Sequence, residues 1–303
     1  MSDPVFLGRQ ANAEEARFHV IQAPIEDGAP LQKGQSAAPA AILAASARID
    51  PYDEEIARCP SDEAPVLTVA PPEMQTVEAV QLQVEAAIDA VAAPVILGGD
   101  PSISMAGIQA LSEKSEEFTI LHVTAHAHCK NDGAMAETVM RRAMQLKNCR
   151  KIVQVGVLAL SGGESENIFS EDETIEAFFA CDLAKHNDEG WHEDVIQELS
   201  TPVYLSIDLA GLSRSIVPSV GVPEPGGIDW WPLLRLLKDV TKRRRIAAVD
   251  VVDLIPLEGD VTGDYAAARL IHKVMAYMVV SGKMLAPEDL EMDEEEEEEG
   301  EEA

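Results

Sequence analysis

Residues 119–130 read TILHVTAHAHCK, an apolar run that ends abruptly in clustered metal-capable side chains. If the run is a strand, its two-residue period sends His122, Thr124, His126 and His128 to one face. Histidine is the commonest metal ligand, and a His-x-His pair at a strand end can aim two imidazoles at one point. Two readings stay open at this stage. The histidines are either core or rim residues satisfied by hydrogen bonds, or ligands of an ion.

Working outward, short apolar runs alternate with amphipathic segments. Residues 18–23, 66–69, 94–97, 152–157, 175–181, 202–209 and 246–254 are apolar runs of strand length. Between them, 37–49, 73–92, 103–112, 134–146, 193–199, 230–241 and 265–280 have helical composition, and Val77, Val80, Leu82, Val84, Ile88 and Val91 recur at helical spacing. Ser161-Gly162-Gly163 is expected to open an irregular loop. Strands alternating with helices imply right-handed crossovers and one mainly parallel sheet covered on both faces. The expectation is a single-domain, three-layer α/β/α body over residues 1–286. In open sheets of this kind ligands bind at the carboxyl ends of the strands. That rule gathers Gly99-Asp100-Pro101, His126 to His128, Ser206 to Asp208 and Asp250 to Asp253 on one rim.

Charge narrows the partners. The formal net charge is −31, and about twelve of the fifty-four carboxylates lie between Glu288 and Glu302. Such a block buries no face, so residues 287–303 are expected to form an acidic disordered tail. The remaining body, near −19, argues against nucleic acid or an anionic membrane as partner. No apolar stretch reaches the length of a membrane span, and residues 1–20 lack a secretory pattern. Cys59, Cys129, Cys149 and Cys181 form no Cys-x-x-Cys pair, which favours a reducing cytoplasm.

Several motifs, in this order, resemble the ureohydrolase family of arginases and agmatinases. GGDPS at 98–102 is similar to the family's GGDHS, and HVTAHAH at 122–128 to its H-x-DAHxD. SIDLAGLSRSIVPSVGVPEPGG at 206–227 is similar to its SxDxDxxDPxxAPGTGxPxPGG, and VDVVDLIP at 249–256 to its xDxxExxP. The helix TGDYAAARLI at 262–271 matches the family's typical ending. The resemblance spans about residues 18–281 and implies an arginase-like fold, hydrolysis of a guanidino group and a hydroxide bridging two manganese ions.

Carried over residue by residue, the resemblance places the six metal positions at Pro101, Thr124, His126, His128, Asp208 and Ala210. Pro101 and Ala210 bring no side-chain donor, Thr124 brings a neutral hydroxyl, and His128 brings an imidazole where a carboxylate is implied. Hard divalent cations held in pairs need several carboxylates, so binuclear manganese is not supported. Asp253 stands, one methylene shorter, where the family has a guanidinium-facing Glu, and Ser213-Arg214 stands for Asp-Pro. The scaffold glycines and prolines, among them Gly98, Gly99, Pro223 and Gly227, are kept.

Two functional readings follow. The first is a non-catalytic homologue with a binding, regulatory or structural role, beside an active paralogue. The second is a hydrolase of guanidino or amidino compounds with a rebuilt mononuclear site. There His126, His128 and Asp208 would hold one zinc, nickel or iron ion, since imidazole suits these borderline cations. The resemblance further implies a homo-oligomer, a trimer or hexamer. His122 is expected to be structural, Asp100 to cap the following helix, and Trp230-Trp231 to serve packing or subunit contact. Lys242 to Arg245 reads as a solvated helix end.

Overall fold

Apolar runs without polar alternation belong to strands covered on both faces, and the central strands of this chain read that way. A computed structural model describes residues 4–28, 31–170, 174–186 and 190–286. The acidic stretch expected as a tail lies outside the described residues. In chain order the elements are β1 (Phe18–Ala23), α1 (Ala38–Ser46), α2 (Pro60–Glu63), β2 (Val66–Val69), α3 (Val77–Asp89) and β3 (Ala93–Gly98). There follow α4 (Ser104–Lys114), β4 (Phe118–Val123), α5 (Met135–Ala143), β5 (Cys149–Val157), α6 (Gly162–Ile168), β6 (Ile175–Phe179) and α7 (Ala180–Leu183). The last are α8 (Trp191–Gln197), β7 (Val203–Asp208), α9 (Trp230–Arg243), β8 (Ile246–Val252) and α10 (Thr262–Ser281).

The eight strands form one sheet of order β2-β1-β3-β8-β7-β4-β5-β6, with every pairing parallel. β3, β8, β7 and β4 are buried along their whole length, whereas the edge strands β2 and β6 are only partly covered. On one face, Val95, Leu97, Val249 and Val251 pack with Ile42 of α1, Leu233 of α9 and Leu270 of α10. On the other, Ile96 and Val252 meet Val80 and Val84 of α3 and Ala106 of α4, while Ile120, Tyr204 and Ala248 meet Ile108 of α4 and Val139 of α5. The three-layer parallel fold expected from the sequence is the fold observed.

Two local expectations are corrected. The sequence suggests a loop at Ser161, but α6 begins there. Ser161 Oγ accepts from the Glu164 amide at 3.3 Å while Glu164 Oε2 accepts from the Ser161 amide at 2.9 Å. This reciprocal capping box offsets two glycines that otherwise disfavour a helix. The histidine stretch is likewise not one continuous strand, because β4 stops at Val123.

Candidate functional site

β3, β8, β7 and β4 are neighbours in the sheet although the chain visits β3 and β4 long before the other two. Their carboxyl ends therefore meet where the winding reverses, the place at which open α/β sheets form a crevice. At the end of β3, Gly99 passes so close to Ile25 that a Cβ would stand 1.8 Å from the Ile25 carbonyl oxygen. Asp100 follows, buried. Its Oδ2 accepts from the amides of Asp27 and Gly28 at 2.7 and 2.5 Å, and its Oδ1 from the amide and hydroxyl of Ser102. It caps the turn as the sequence suggests, and it also ties down the loop after β1. Pro101 opens that 3-10 turn.

Beyond β4 the chain turns at Thr124, whose Oγ1 accepts the His126 amide at 3.1 Å. The same oxygen lies 2.7 Å from the His126 carbonyl and 2.8 Å from Asp208 Oδ2; its single proton serves one of these acceptors at a time. This side-chain turn ends the two-residue period, so the four polar side chains do not line one face. His128 then adopts φ +49°, a left-handed conformation uncommon outside glycine.

The central contact is between His128 Nε2 and Asp208 Oδ2, at 3.0 Å. His128 Nδ1 lies 2.6 Å from the carbonyl oxygen of Ala136, which can only accept. With Nδ1 donating there, Nε2 also donates to Asp208 only when the ring is an imidazolium. Burial opposes that charge, but the Asp208 hydrogen bond and charge outweigh it, and the His128 pKa is raised. Asp208 gains reciprocally: burial alone would raise its pKa, yet His128, with help from the Ala210 amide on Oδ1 at 2.8 Å, brings it down to about 2.

His122 lies beside this pair, its ring centroid 5.7 Å from that of His128. Gln154 Nε2 donates to His122 Nδ1 at 3.1 Å. Burial, then the His128 charge, lowers its pKa to about 3, so the ring stays neutral. One donor atom each from His122, His128 and Asp208 lie within 4.8 Å of one another. His126 is not in that group. It sits at the rim with Nε2 3.3 Å from Glu224 Oε1. Of the sequence candidates, then, the structure brings His128 and Asp208 together, leaves His126 at the rim with its ring 6.0 Å from that of His128, and adds His122 to the pair. The signal for His122 is its place on β4, but a turn that folds position 128 back toward position 122 leaves no trace in periodicity.

Asp253, after β8, is buried with φ +71°. Gln35 Nε2 donates to its Oδ1 at 2.6 Å, and the Gly221 amide lies 3.1 Å from its Oδ2. Burial, then the nearby Asp208 charge, pushes its pKa up to about 8, against the hydrogen bonds from Gln35 and Gly221 that lower it. Asp250 is held at about 6 by burial, offset by hydrogen bonds from Tyr204 and Ser206 at 2.6 and 2.9 Å. Arg214 places Nη2 on the carbonyl oxygens of Leu209, Ala210 and Leu212 at 2.9, 2.8 and 2.5 Å. A cleft of about 90 Å³, bounded by Gln35, Asp100, Pro101, His126, His128 and Asp253, opens onto the centre. That is room for about three waters.

The donors around the centre can be accounted for one by one. Both Asp100 oxygens are committed to backbone and serine donors, Asp253 accepts from Gln35 and the Gly221 amide, and Pro101 and Ala210 carry no side-chain donor. Asp208 is left as the ionised carboxylate of the gathered group, already paired with an imidazolium.

Residues 16–277 match the Arginase family. The chain is 27% identical over 279 residues to the N(1)-aminopropylagmatine ureohydrolase of Synechocystis sp., the alignment covering 87% of this chain and 89% of that protein. Among solved structures it superposes on proclavaminate amidino hydrolase from Streptomyces clavuligerus with a TM-score of 0.82 at 20% identity, covering 93% of this chain and 98% of the other. For the agmatine ureohydrolase of Thermoplasma volcanium the TM-score is 0.80 at 24% identity, with 92% and 95% covered. At such identities the superpositions speak for the fold. The family match runs through every strand whose carboxyl end contributes to the centre, and the chain belongs to the arginase family of ureohydrolases.

Proposed function

We propose that this chain is a non-catalytic member of the ureohydrolase family, acting as a binding, regulatory or structural protein. The observation that carries the reading is the His128–Asp208 ion pair, closed by the Ala136 carbonyl on the far side of the ring. A hydroxide bridging two metal ions needs several anionic ligands, to offset the charge and to bridge the ions. Here one ionised carboxylate is gathered with two imidazoles, and it already has an internal cation. The experiment is urea release from agmatine and N(1)-aminopropylagmatine with saturating Mn²⁺. None is expected, nor is any expected of His128→Asp, which restores one implied ligand while Pro101, Thr124 and Ala210 stay as they are. Mn²⁺-dependent urea release that disappears in Asp208→Ala sinks the proposal.

A second reading is favoured by the closeness of His122, His128 and Asp208. Two imidazoles and a carboxylate suit one zinc, nickel or iron ion with open positions, and such a site could serve amidino hydrolysis. It differs from the triad expected from the sequence by His122 in place of His126. Elemental analysis of protein purified without chelator decides it: one equivalent of metal that is lost in His128→Ala supports it, and metal-free protein sinks it.

Self-association is the third element of the proposal. Trp231, Val261 and Tyr265 are exposed by 64%, 67% and 41%, and Val261 and Tyr265 border a groove of about 440 Å³ that Trp230 also lines. Exposed apolar groups of this size in a strongly anionic protein mark a contact surface. Sedimentation equilibrium should show an oligomer that Trp231→Glu weakens; a wild-type monomer at micromolar concentration would remove this part of the reading. Among the described residues no helix is long and apolar enough to cross a membrane.

A further inference from the structure

The sheet ends on β2 at one side and on β6 at the other, and the chain treats these two edges differently. At β2 its own amino-terminal segment closes the edge. The Ala11 amide donates to the Val66 carbonyl at 2.9 Å. The Gln10 side chain imitates a further strand: Nε2 donates to the Thr68 carbonyl and Oε1 accepts from the Thr68 amide, each at 3.0 Å. An uncovered edge is a template on which another chain can pair, and this segment removes it.

β6 has no equivalent cover. The Ile152 amide of β5 donates to the Thr174 carbonyl at 2.8 Å, and backbone groups alternate in direction along a strand. The amides and carbonyls of Ile175 and Ala177 therefore point away from β5, while those of Glu176 and Phe178 point toward it. Among the described residues no backbone group bonds to the outward set. Glu176, Ala177, Phe178 and Phe179 are each partly exposed. Beside the carboxyl end of this edge Phe169 is 70% exposed and stacks on Phe179, the ring centroids 6.1 Å apart.

Side chains give the edge two unlike faces. Ala177 and Phe179 lie on the side of α4 and α5, with Phe169 against them, whereas Glu176 and Phe178 lie on the other. Glu171, Asp172 and Glu173 precede the strand in sequence, and no lysine or arginine occurs between Ser170 and Asp182. A second copy pairing edge to edge would set these acids against their own kind, and like charges across strands repel. A cationic strand is complementary instead.

We propose that β6 is a docking edge for an extended segment of a partner protein, in which apolar residues alternate with lysine or arginine. Main-chain hydrogen bonds to Ile175 and Ala177 hold the segment. Its two-residue period lays apolar side chains beside Ala177, Phe179 and Phe169 and cations beside Glu176. The inference goes beyond the non-catalytic reading, because β5 separates this edge from β4 and the centre, and it stands whether or not the chain hydrolyses anything.

The test uses the full chain and two capped peptides of equal length, one alternating lysine with valine and the other glutamate with valine, read by amide hydrogen exchange at single-residue resolution. The lysine peptide should slow exchange of the Ile175 and Ala177 amides at least about tenfold. The Glu176 and Phe178 amides, already directed at β5, should not change, and the glutamate peptide should protect nothing. Ala177→Pro removes one outward donor at a position where an edge strand tolerates proline and should weaken the lysine peptide about tenfold. Glu176→Lys keeps every main-chain donor and should weaken it as well, which gives a second variant if Ala177→Pro does not fold. No protection by the lysine peptide, equal protection by both peptides, protection confined to other residues, or unchanged affinity in Glu176→Lys overturns the proposal.

Discussion

His128 Nε2 and Asp208 Oδ2 stand 3.0 Å apart across eighty residues of chain, and both side chains are largely buried. Removing one partner of a buried ion pair is far more costly than replacing both, because the survivor stays charged without compensation. His128→Ala is therefore expected to destabilise the fold by about 3–5 kcal/mol. Asp208→Asn, which leaves a neutral side chain able to hydrogen-bond, should cost about 1–3 kcal/mol. Urea unfolding of both, and of the double variant, checks this. The double variant should lose less than the sum of the two; strict additivity would mean that the pair is not coupled.

Stability should fall as the medium turns alkaline. Asp250 and Asp253 have folded pKa values raised from 3.8 to about 6 and about 8. Their contribution is fully present below 3.8 and is lost as pH rises through those values. His128, raised above 6.5, contributes fully below 6.5 and loses that contribution as pH climbs through its folded value. Asp208, lowered from 3.8 to about 2, contributes above 3.8 and fails only as pH drops through its folded value. Each proton retained by the folded chain but already released by the unfolded one tilts the profile by about 1.4 kcal/mol per pH unit. His122, His19 and His272, whose folded pKa values are lowered, act in the opposite sense below 6.5. Melting temperatures should therefore decline from pH 7 to 9, and Asp253→Asn should flatten the slope between pH 7 and 8. A wild-type profile that rises from pH 7 to 9 would contradict these assignments.

Two glycines should respond in opposite ways to the same added methyl. Gly99→Ala drives a Cβ to 1.8 Å from the Ile25 backbone oxygen, and backbone cannot swing aside as a flexible side chain can. A loss of about 3 kcal/mol or more is expected, together with release of the loop that Asp100 holds. Gly162→Ala, in the first turn of α6 with nothing within 4 Å, should be neutral or stabilise by about 0.5–1 kcal/mol. Thermal melts of the two variants check the contrast; a well-folded Gly99→Ala protein would show that β3 and the loop after β1 are not in register as described.

Most of the fold is legible in the sequence. Phe18–Ala23 and Val66–Val69 were bounded to the residue by their apolar runs and flanking polar or proline positions. The long helix read over 73–92 was trimmed to Val77–Asp89, because Thr76 Oγ1 accepts the Ala79 amide and caps it there. α6 was missed because its two glycines outweigh, in a propensity reading, a capping box that is visible only as Ser161 and Glu164 three residues apart.

The sequence by itself determined the alternation of strands and helices and the parallel sheet with its rim of Asp100, His128, Asp208 and Asp253. These follow from residue identity and local periodicity, which are properties of the chain before it folds. Only the tertiary structure decided that His122 and not His126 joins His128 and Asp208, that Asp100 has no oxygen to spare, and that Arg214 folds back on the carbonyls of the turn after β7. The physical reason is that a side chain's direction at a strand end is set by the hydrogen bonds of the turn that follows. The protonation of a buried group is set in turn by charges brought to it from distant strands. Thr124 turning on His126, and Asp208 arriving at His128 from β7, are contacts that no repeat of two or of 3.6 residues encodes.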